Sequence, residues 1–430
     1  MNQPITAKIN NKGHFEIGGC DCVDIASEFG TPLYVLCEVS VRGKCREYRT
    51  AFKDRYPNSL VIYASKALCN ISLLKIIQDE GLGVDVSSFG ELYTAKKAGV
   101  DLANVYMHGN NKPKKELEDA IDLNVGAIVV DNFAELETIG EITSKSKKQV
   151  KILFRVNPGI EAHTHEFVQT GQTDSKFGIA KEDILKAVSF ALKLEYVDFA
   201  GLHAHIGSQI FDIDPFLAEI DVLTLLAKEI NNQLGFKVRE INIGGGLGID
   251  YSGSDNVPAI DSFAGKIISH FKEKCAEASI GEPKLILEPG RSIVGVAGIT
   301  LYTVGSVKDI PGIRKYVSVD GGMSDNPRPI LYGAKYEALI ANKASMQKEE
   351  KVTIVGRFCE SGDKLLIDYE LQKAEKGDIL AVLCTGAYNY SMASNYNRVT
   401  RPAMALANNG SVKLIIKRES YEDLVRCDVF

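Results

Sequence analysis

From about residue 60 to residue 290, short apolar, β-branched runs alternate with longer amphipathic stretches. The apolar runs are Val61–Lys66, Gly83–Ser88, Val105–Gly109, Ala127–Asn132, Lys151–Asn157, Phe199–Gly207, Ile241–Gly246 and Lys284–Gly290. Helical periodicity marks Gly90–Ala98, Lys114–Leu123, Ala134–Thr143, Lys181–Leu194, Pro215–Leu234 and Ile260–Ala278 between them. Strands that are apolar on both faces, separated by helices, indicate a parallel sheet with a covered outer face. An open doubly wound sheet is the alternative. Eight regular units favour closure, so this stretch is expected to form an α/β fold of the (β/α)8 kind, a TIM-like barrel.

The pattern changes after Arg291. Shorter strand-like runs follow, with turn residues between them: Ile293–Val307, Lys315–Asp320, Val352–Phe358, Leu365–Leu371, Ile379–Leu383 and Ser411–Lys417. Weak helical periodicity here indicates an all-β domain. The N-terminus also reads as strand and turn, with Lys8–Asn10 and Phe15–Ile17 around an Asn-Lys-Gly turn. The expected organisation is a β-domain from residues 1–35 and 292–430, with the barrel (36–291) inserted into it.

Composition narrows the partners. A length of 430 residues suits two domains, and 45% hydrophobic with 25% charged residues is ordinary for a globular chain. The net charge of −6 gives no basic excess to attract nucleic acid. No apolar run approaches the ~20 residues of a membrane span, and the first residues lack a secretory pattern. Nine cysteines without a Cys-x-x-Cys pair argue against a disulfide framework and for a reducing, cytoplasmic setting. Cys20-x-Cys22 reads as two thiols near a turn.

In a closed barrel, reactive groups gather at the C-terminal ends of the strands. Here those ends carry Lys66, Ser87 and Ser88, His108, Asp131 and Asn132, Arg155 and Asn157, His203, His205 and Ser208, Gly244–Gly248, and Glu288-Pro-Gly290-Arg291. Lys66 is either a salt-bridged residue or a Schiff-base former. The glycine run containing Gly245 and Gly246 lies after the seventh strand, where barrels often bind phosphate. Glu288 could face a pyridine nitrogen and Arg291 an anion; an internal Glu–Arg pair is the plainer alternative. His203-Ala-His205 and His163-Thr-His165 could bind zinc, or an imidazole could stack on a cofactor ring. Beyond the barrel, Cys359 stands among acids in Gly356–Asp363, and Tyr388 lies in a turn.

Several segments together resemble the pyridoxal phosphate enzymes of the alanine-racemase-like fold, and within them the diaminopimelate decarboxylase family. They are Tyr63-Ala-Ser-Lys-Ala67, Gly83–Leu92, His108–Lys112, His203–Gln209, Gly244–Gly248, Glu288–Arg291, Asp325–Pro329, Cys359–Asp363, Gly386–Tyr388 and Met392–Asn397. The resemblance extends from about Thr31 to Pro402. It implies pyridoxal 5'-phosphate joined to Lys66, with His205 stacking on the ring and Glu288 pairing with its nitrogen. Ser208, Gly245, Gly246, Gly290, Arg291 and Tyr388 would complete the cofactor site. Arg291, Arg328, Tyr332, Glu360 and Tyr388 would bind substrate, and Cys359 would supply a proton. It further implies a homodimer in which Cys359 and Glu360 serve the partner subunit's site. Related decarboxylases act on ornithine, lysine, arginine or carboxynorspermidine; Arg328 supplies the cation a dicarboxylic substrate needs. Arg357-Phe358 before the cysteine departs from the smaller residues more usual there. A zinc-dependent barrel hydrolase is the competing class, and a racemase or a non-catalytic homologue are further alternatives.

Overall fold

The structure is a computed structural model and describes residues 2–160 and 175–429. The chain divides into two compact units: Lys44–Gly248 with Val257–Gly290, and Met1–Gly43 with Ile249–Asn256 and Arg291–Phe430.

The first unit is a closed barrel. Its strands are β1 (Ser59–Ala64), β2 (Gly83–Val86), β3 (Val105–Met107), β4 (Ala127–Val130), β5 (Val150–Asn157), β6 (Val197–His203), β7 (Glu240–Asn242) and β8 (Lys284–Leu287). Parallel pairing runs β5-β6-β7-β8-β1-β2-β3-β4, and β4 closes on β5. All eight expected strands are present, and most end two to four residues earlier than the apolar pattern predicts. The reason is local. Once a strand leaves the ladder its backbone turns, and the polar residues there bond to loops instead.

Two of those residues proved to be helix caps. Ser88 and Asn132 accept from the amides of Glu91 and Asn132's third successor, Glu135, starting the helices Phe89–Ala98 and Phe133–Ser146. Each such cap stabilises a helix by about 1 kcal/mol. The helix Ile71–Asp79, absent from the predicted set, is capped the same way by Asn70. Inside the barrel Ile62, Tyr106, Ala127, Val129, Leu153, Ala200 and Ile286 form one buried cluster. Each large apolar side chain removed from water there contributes about 1.5–3 kcal/mol.

The second unit is mainly a β-sheet. Its strands run in the order Lys364–Leu371, Glu350–Val355, Arg314–Val319, Gly298–Ile310, Leu33–Cys37, Ala403–Asn408, Ser411–Ile416. The run expected as one strand from Ile293 begins instead with a short helix, Arg291–Val294, before the strand Gly298–Ile310. The strand Leu33–Cys37, buried at every position, pairs antiparallel with Gly298–Ile310 and parallel with Ala403–Asn408. N-terminal and C-terminal segments are thus joined in one sheet.

Candidate active site

At the C-terminal end of the barrel one carboxylate is surrounded by donors. Glu288, just beyond β8, accepts from His108 Nε2 (2.8 Å) and Asn242 Nδ2 (2.8 Å) on Oε1, and from His203 Nε2 (3.2 Å) on Oε2. All four residues are buried. Burial alone would raise the carboxyl pKa, but His108 and His203 hold it well below the ordinary range. Desolvation pushes His203 down to about 4 despite the Glu288 charge, so that imidazole is a neutral donor. A carboxylate offers about four acceptor positions, and three are used here. Oε2 keeps capacity for one more N–H, which is what a protonated pyridine nitrogen presents.

The histidine pair is divided in role. His203 serves Glu288, whereas His205 Nδ1 accepts from the Gly245 amide at 3.3 Å, placing its proton on Nε2. Desolvation, then the charges of Lys66, Arg155 and His203, keep His205 well below its ordinary value. It is a neutral, flat ring beside Lys66, as stacking on a cofactor requires. The other pair, His163 and His165, lies outside the described residues. His108, His203 and Glu288 are close enough to hold a metal ion, with ligand atoms within 4.8 Å of one another. Their direct hydrogen bonds account for the same closeness.

Lys66 lies in the single turn Ser65–Ala67 that follows β1, and its side chain is exposed. The expectation that β1 itself runs to Lys66 is therefore corrected: the strand stops at Ala64, and the turn swings the lysine out of the ladder. Gly290 braces this turn. A Cβ there would stand 2.9 Å from Ala64 Cβ and 3.2 Å from Ala67 Cβ. Across the mouth, the glycine loop bonds to the loop after β6: Ile210 N donates to Gly246 O, and Gly248 N to Ile210 O, each at 2.9 Å. Gly246 has φ of 130°, and a Cβ would sit 2.7 Å from Gly207 O, so only glycine lets these backbones meet. Ser208 belongs to the same pair of loops. A glycine loop that lets an anion approach the backbone, beside a hydroxyl, makes a suitable phosphate cradle.

Sequence reasoning assigned no role to Asp85, Asn242 or His108. Asp85 is buried on β2, and burial pushes it up to about 7 against the pull of His108 and Lys66. A lone acid inside the apolar run Val84-Asp-Val86 was the available signal. Arg155 is buried on β5 and lies 4.1 Å from the Phe177 ring centroid.

In the other unit, Arg291 donates from Nη1 to Tyr251 Oη at 2.6 Å and stacks 4.7 Å from the Tyr388 ring centroid. Arg328 Nη1 donates to Tyr336 Oη at 2.8 Å, and its guanidinium lies 4.9 Å from Tyr251 and 5.9 Å from Tyr332. Burial works against the Arg328 charge, but Tyr251 and Tyr336 more than offset it and raise its pKa. Arg291, Arg328, Tyr332 and Tyr388 are thus brought together through Tyr251, which the sequence did not single out. These contacts do not extend to Cys359 and Glu360, which are exposed on the loop before strand Lys364–Leu371.

Residues 39–295 match the family described as pyridoxal-dependent decarboxylase, pyridoxal binding domain. The diaminopimelate decarboxylase of Bacillus methanolicus is 47% identical over 416 residues, covering 96% of each chain. The diaminopimelate decarboxylase of Synechocystis is also 47% identical, over 99% of this chain and 92% of the relative. A crystal structure of diaminopimelate decarboxylase from M. jannaschii in complex with L-lysine superposes with a TM-score of 0.93 at 38% identity, covering 100% of this chain and 99% of that one. The chain belongs to the diaminopimelate decarboxylase family. It is a pyridoxal-dependent carboxy-lyase, and its cofactor is pyridoxal 5'-phosphate. The neutral His205, the remaining acceptor on Glu288 and the glycine cradle fit that group.

Proposed function

We propose that this member of the diaminopimelate decarboxylase family converts meso-2,6-diaminopimelate to L-lysine and carbon dioxide, with Lys66 and Cys359 as its catalytic residues. The observation that carries the reading is the ionised Glu288, held by three donors with capacity for one more. When bound, pyridoxal phosphate supplies an aldehyde that condenses with an amine and a ring that draws in the electron pair of the breaking carbon–carbon bond.

The protein's own residues do the rest. Lys66, exposed in the turn after β1, would hold the cofactor's aldehyde carbon through Nζ. Glu288 would face the ring nitrogen and favour its protonated form, and His108, His203 and Asn242 keep Glu288 ionised. Ser208, Gly245, Gly246 and Tyr388 bind the phosphate. Arg291, Arg328 and Tyr332 hold the distal carboxylate, and Glu360 the distal amine. Holding that far end fixes the orientation of the reacting carboxylate, so remote binding energy is used for positioning. Carbon dioxide leaves, and Cys359 gives its Sγ proton to the carbon that lost it.

The active unit is a homodimer, with Cys359 and Glu360 supplied by the second copy. Their exposure supports this reading. Nine free cysteines support a cytoplasmic setting. No helix among the described residues is long and apolar enough to cross a membrane.

Carbon dioxide release from meso-diaminopimelate and from ornithine, measured separately, tests the substrate. Release from the first only is expected, and preference for ornithine would overturn the assignment. Arg328→Ala should raise KM for diaminopimelate about 10–100-fold, the loss of a charge-assisted bond of roughly 1.5–3 kcal/mol.

A further inference from the structure

The loop that carries Cys359 is held at two successive amides. Phe358 N donates to Asp363 Oδ2 at 2.9 Å, a contact within the loop. Cys359 N donates to Asn397 Oδ1 at 3.0 Å, and Asn397 is 38 residues further along the chain. The Phe358 and Tyr396 rings also meet, with centroids 6.0 Å apart.

Asn397 sits in left-handed backbone, φ 51° and ψ 25°, and Arg398 follows with φ 55°. Such geometry persists when the surroundings fix it. Here both flanks are anchored. Asn395 Nδ2 donates to Glu419 Oε2 at 2.6 Å and to Val399 O at 3.1 Å. Arg398 donates to Leu424 O at 2.7 Å and pairs with Asp428 at 2.8 Å. The Asn397 amide oxygen is therefore presented from a rigid segment, and the amide it holds belongs to the thiol-bearing residue itself.

We infer that Asn397 is a positioning residue: by fixing the Cys359 peptide it sets where Sγ delivers its proton. This rests on the reading of Cys359 as proton donor. The contact acts on the timing of proton delivery and not on substrate affinity, so it separates kcat from KM. Asparagine is suited to the place because it tolerates left-handed backbone and carries an acceptor two bonds from Cβ.

The test uses the full-length enzyme loaded with cofactor, in a Cys427→Ser background. Cys359 and Cys427 are the two exposed thiols, so this leaves Cys359 as the exposed target. Asn397→Gly keeps the backbone conformation and removes the acceptor; Asn397→Asp keeps the acceptor. Asn397→Gly should lower kcat about 10-fold or more with KM changed less than twofold. It should also enlarge the solvent deuterium isotope effect on kcat and change the rate of Cys359 alkylation by iodoacetamide. Asn397→Asp should recover most of each. If glycine loosens the segment, Asn397→Ser, too short to reach the amide, carries the same expectation. Unchanged alkylation and isotope effect in the glycine variant, or equal damage in Asn397→Asp, would overturn the inference. Cys359→Ala, run in parallel, separates the two readings. If it is inactive while Asn397→Gly is normal, only the positioning role falls. If it keeps a normal kcat, the proton-donor reading falls, and the positioning role with it.

Discussion

The two ends of the barrel hold similar chemistry in opposite states. At the N-terminal end, Glu240 at the start of β7 accepts from Tyr106 Oη (2.8 Å), Lys151 Nζ (2.9 Å) and Lys284 Nζ (3.1 Å). Lys151 also lies 5.0 Å from the Tyr106 ring centroid. The charges of Glu240, Lys151 and Lys284 are thus paired with one another. At the C-terminal end Glu288 is equally buried and equally supplied with donors, yet its neighbours are not satisfied. Asp85 Oδ1, Asp131 Oδ1 and His203 Nδ1 are buried without a hydrogen-bond partner. Buried polar atoms are normally paired, and exceptions concentrate where function needs them. One end is built for stability and the other for chemistry, the division expected of this architecture.

That comparison can be broken by exchanging effects between the two ends. The largest expected effect is at the upper end. Lys66→Ala should lose detectable turnover and the visible absorbance of protein-bound cofactor, while the unfolding midpoint of the cofactor-free protein hardly moves, because Lys66 is exposed. A variant that keeps the absorbance would refute the lysine assignment.

Glu240→Gln should do the reverse. It weakens two ion pairs whose lysine side chains are 25% and 36% exposed, so the loss is partly recovered by water and comes to roughly 1–3 kcal/mol in urea unfolding. No loss of kcat is expected. Burial raises the Glu240 pKa, but Lys151 and Lys284 lower it by more, leaving it below the unfolded value. Its contribution is therefore present above about pH 4.3 and disappears as pH falls through the folded value. Parent and variant should converge in acid; a constant gap would show that the charge is not the cause.

The smallest effect concerns Glu219, wholly buried on the helix Asp214–Leu234 with both carboxylate oxygens unpartnered. Burial, and then the Glu288 charge, raise its pKa well above the ordinary value. Stability is then greatest below about pH 4.3 and declines as pH rises through the folded value. Glu219→Gln should gain on the parent with rising pH, by roughly 1 kcal/mol near neutrality. Equal melting shifts at pH 5 and pH 8 would rule this out.

Much of this was legible in the residues. Eight apolar runs fixed the barrel, because a strand buried on both faces must be apolar throughout. Strand-end position singled out Lys66 and Glu288 as candidates, and both lie just beyond the barrel strands β1 and β8. It overreached at Ser88 and Asn132, since a cap and a catalytic group occupy the same kind of place and use the same residue types. Tyr251 was not legible. It follows the glycine loop in sequence, yet it packs with residues beyond Arg291, and no local pattern reports so distant a partner. The strands Leu33–Cys37 and Ala403–Asn408 were missed for a related reason: their parallel pairing joins segments some 370 residues apart in the chain.

That last pairing has a consequence for biogenesis. Leu33 stands opposite both Leu301 and Ala403. On the ribosome this sticky pentapeptide, Leu-Tyr-Val-Leu-Cys, emerges first and waits through synthesis of the entire barrel before either neighbour exists. Domains generally fold as they emerge, and unpaired apolar edges invite aggregation meanwhile. The nascent chain should therefore depend on chaperone capture early, and a stop codon shortly before Ala403 should yield insoluble product even though every barrel residue has been made.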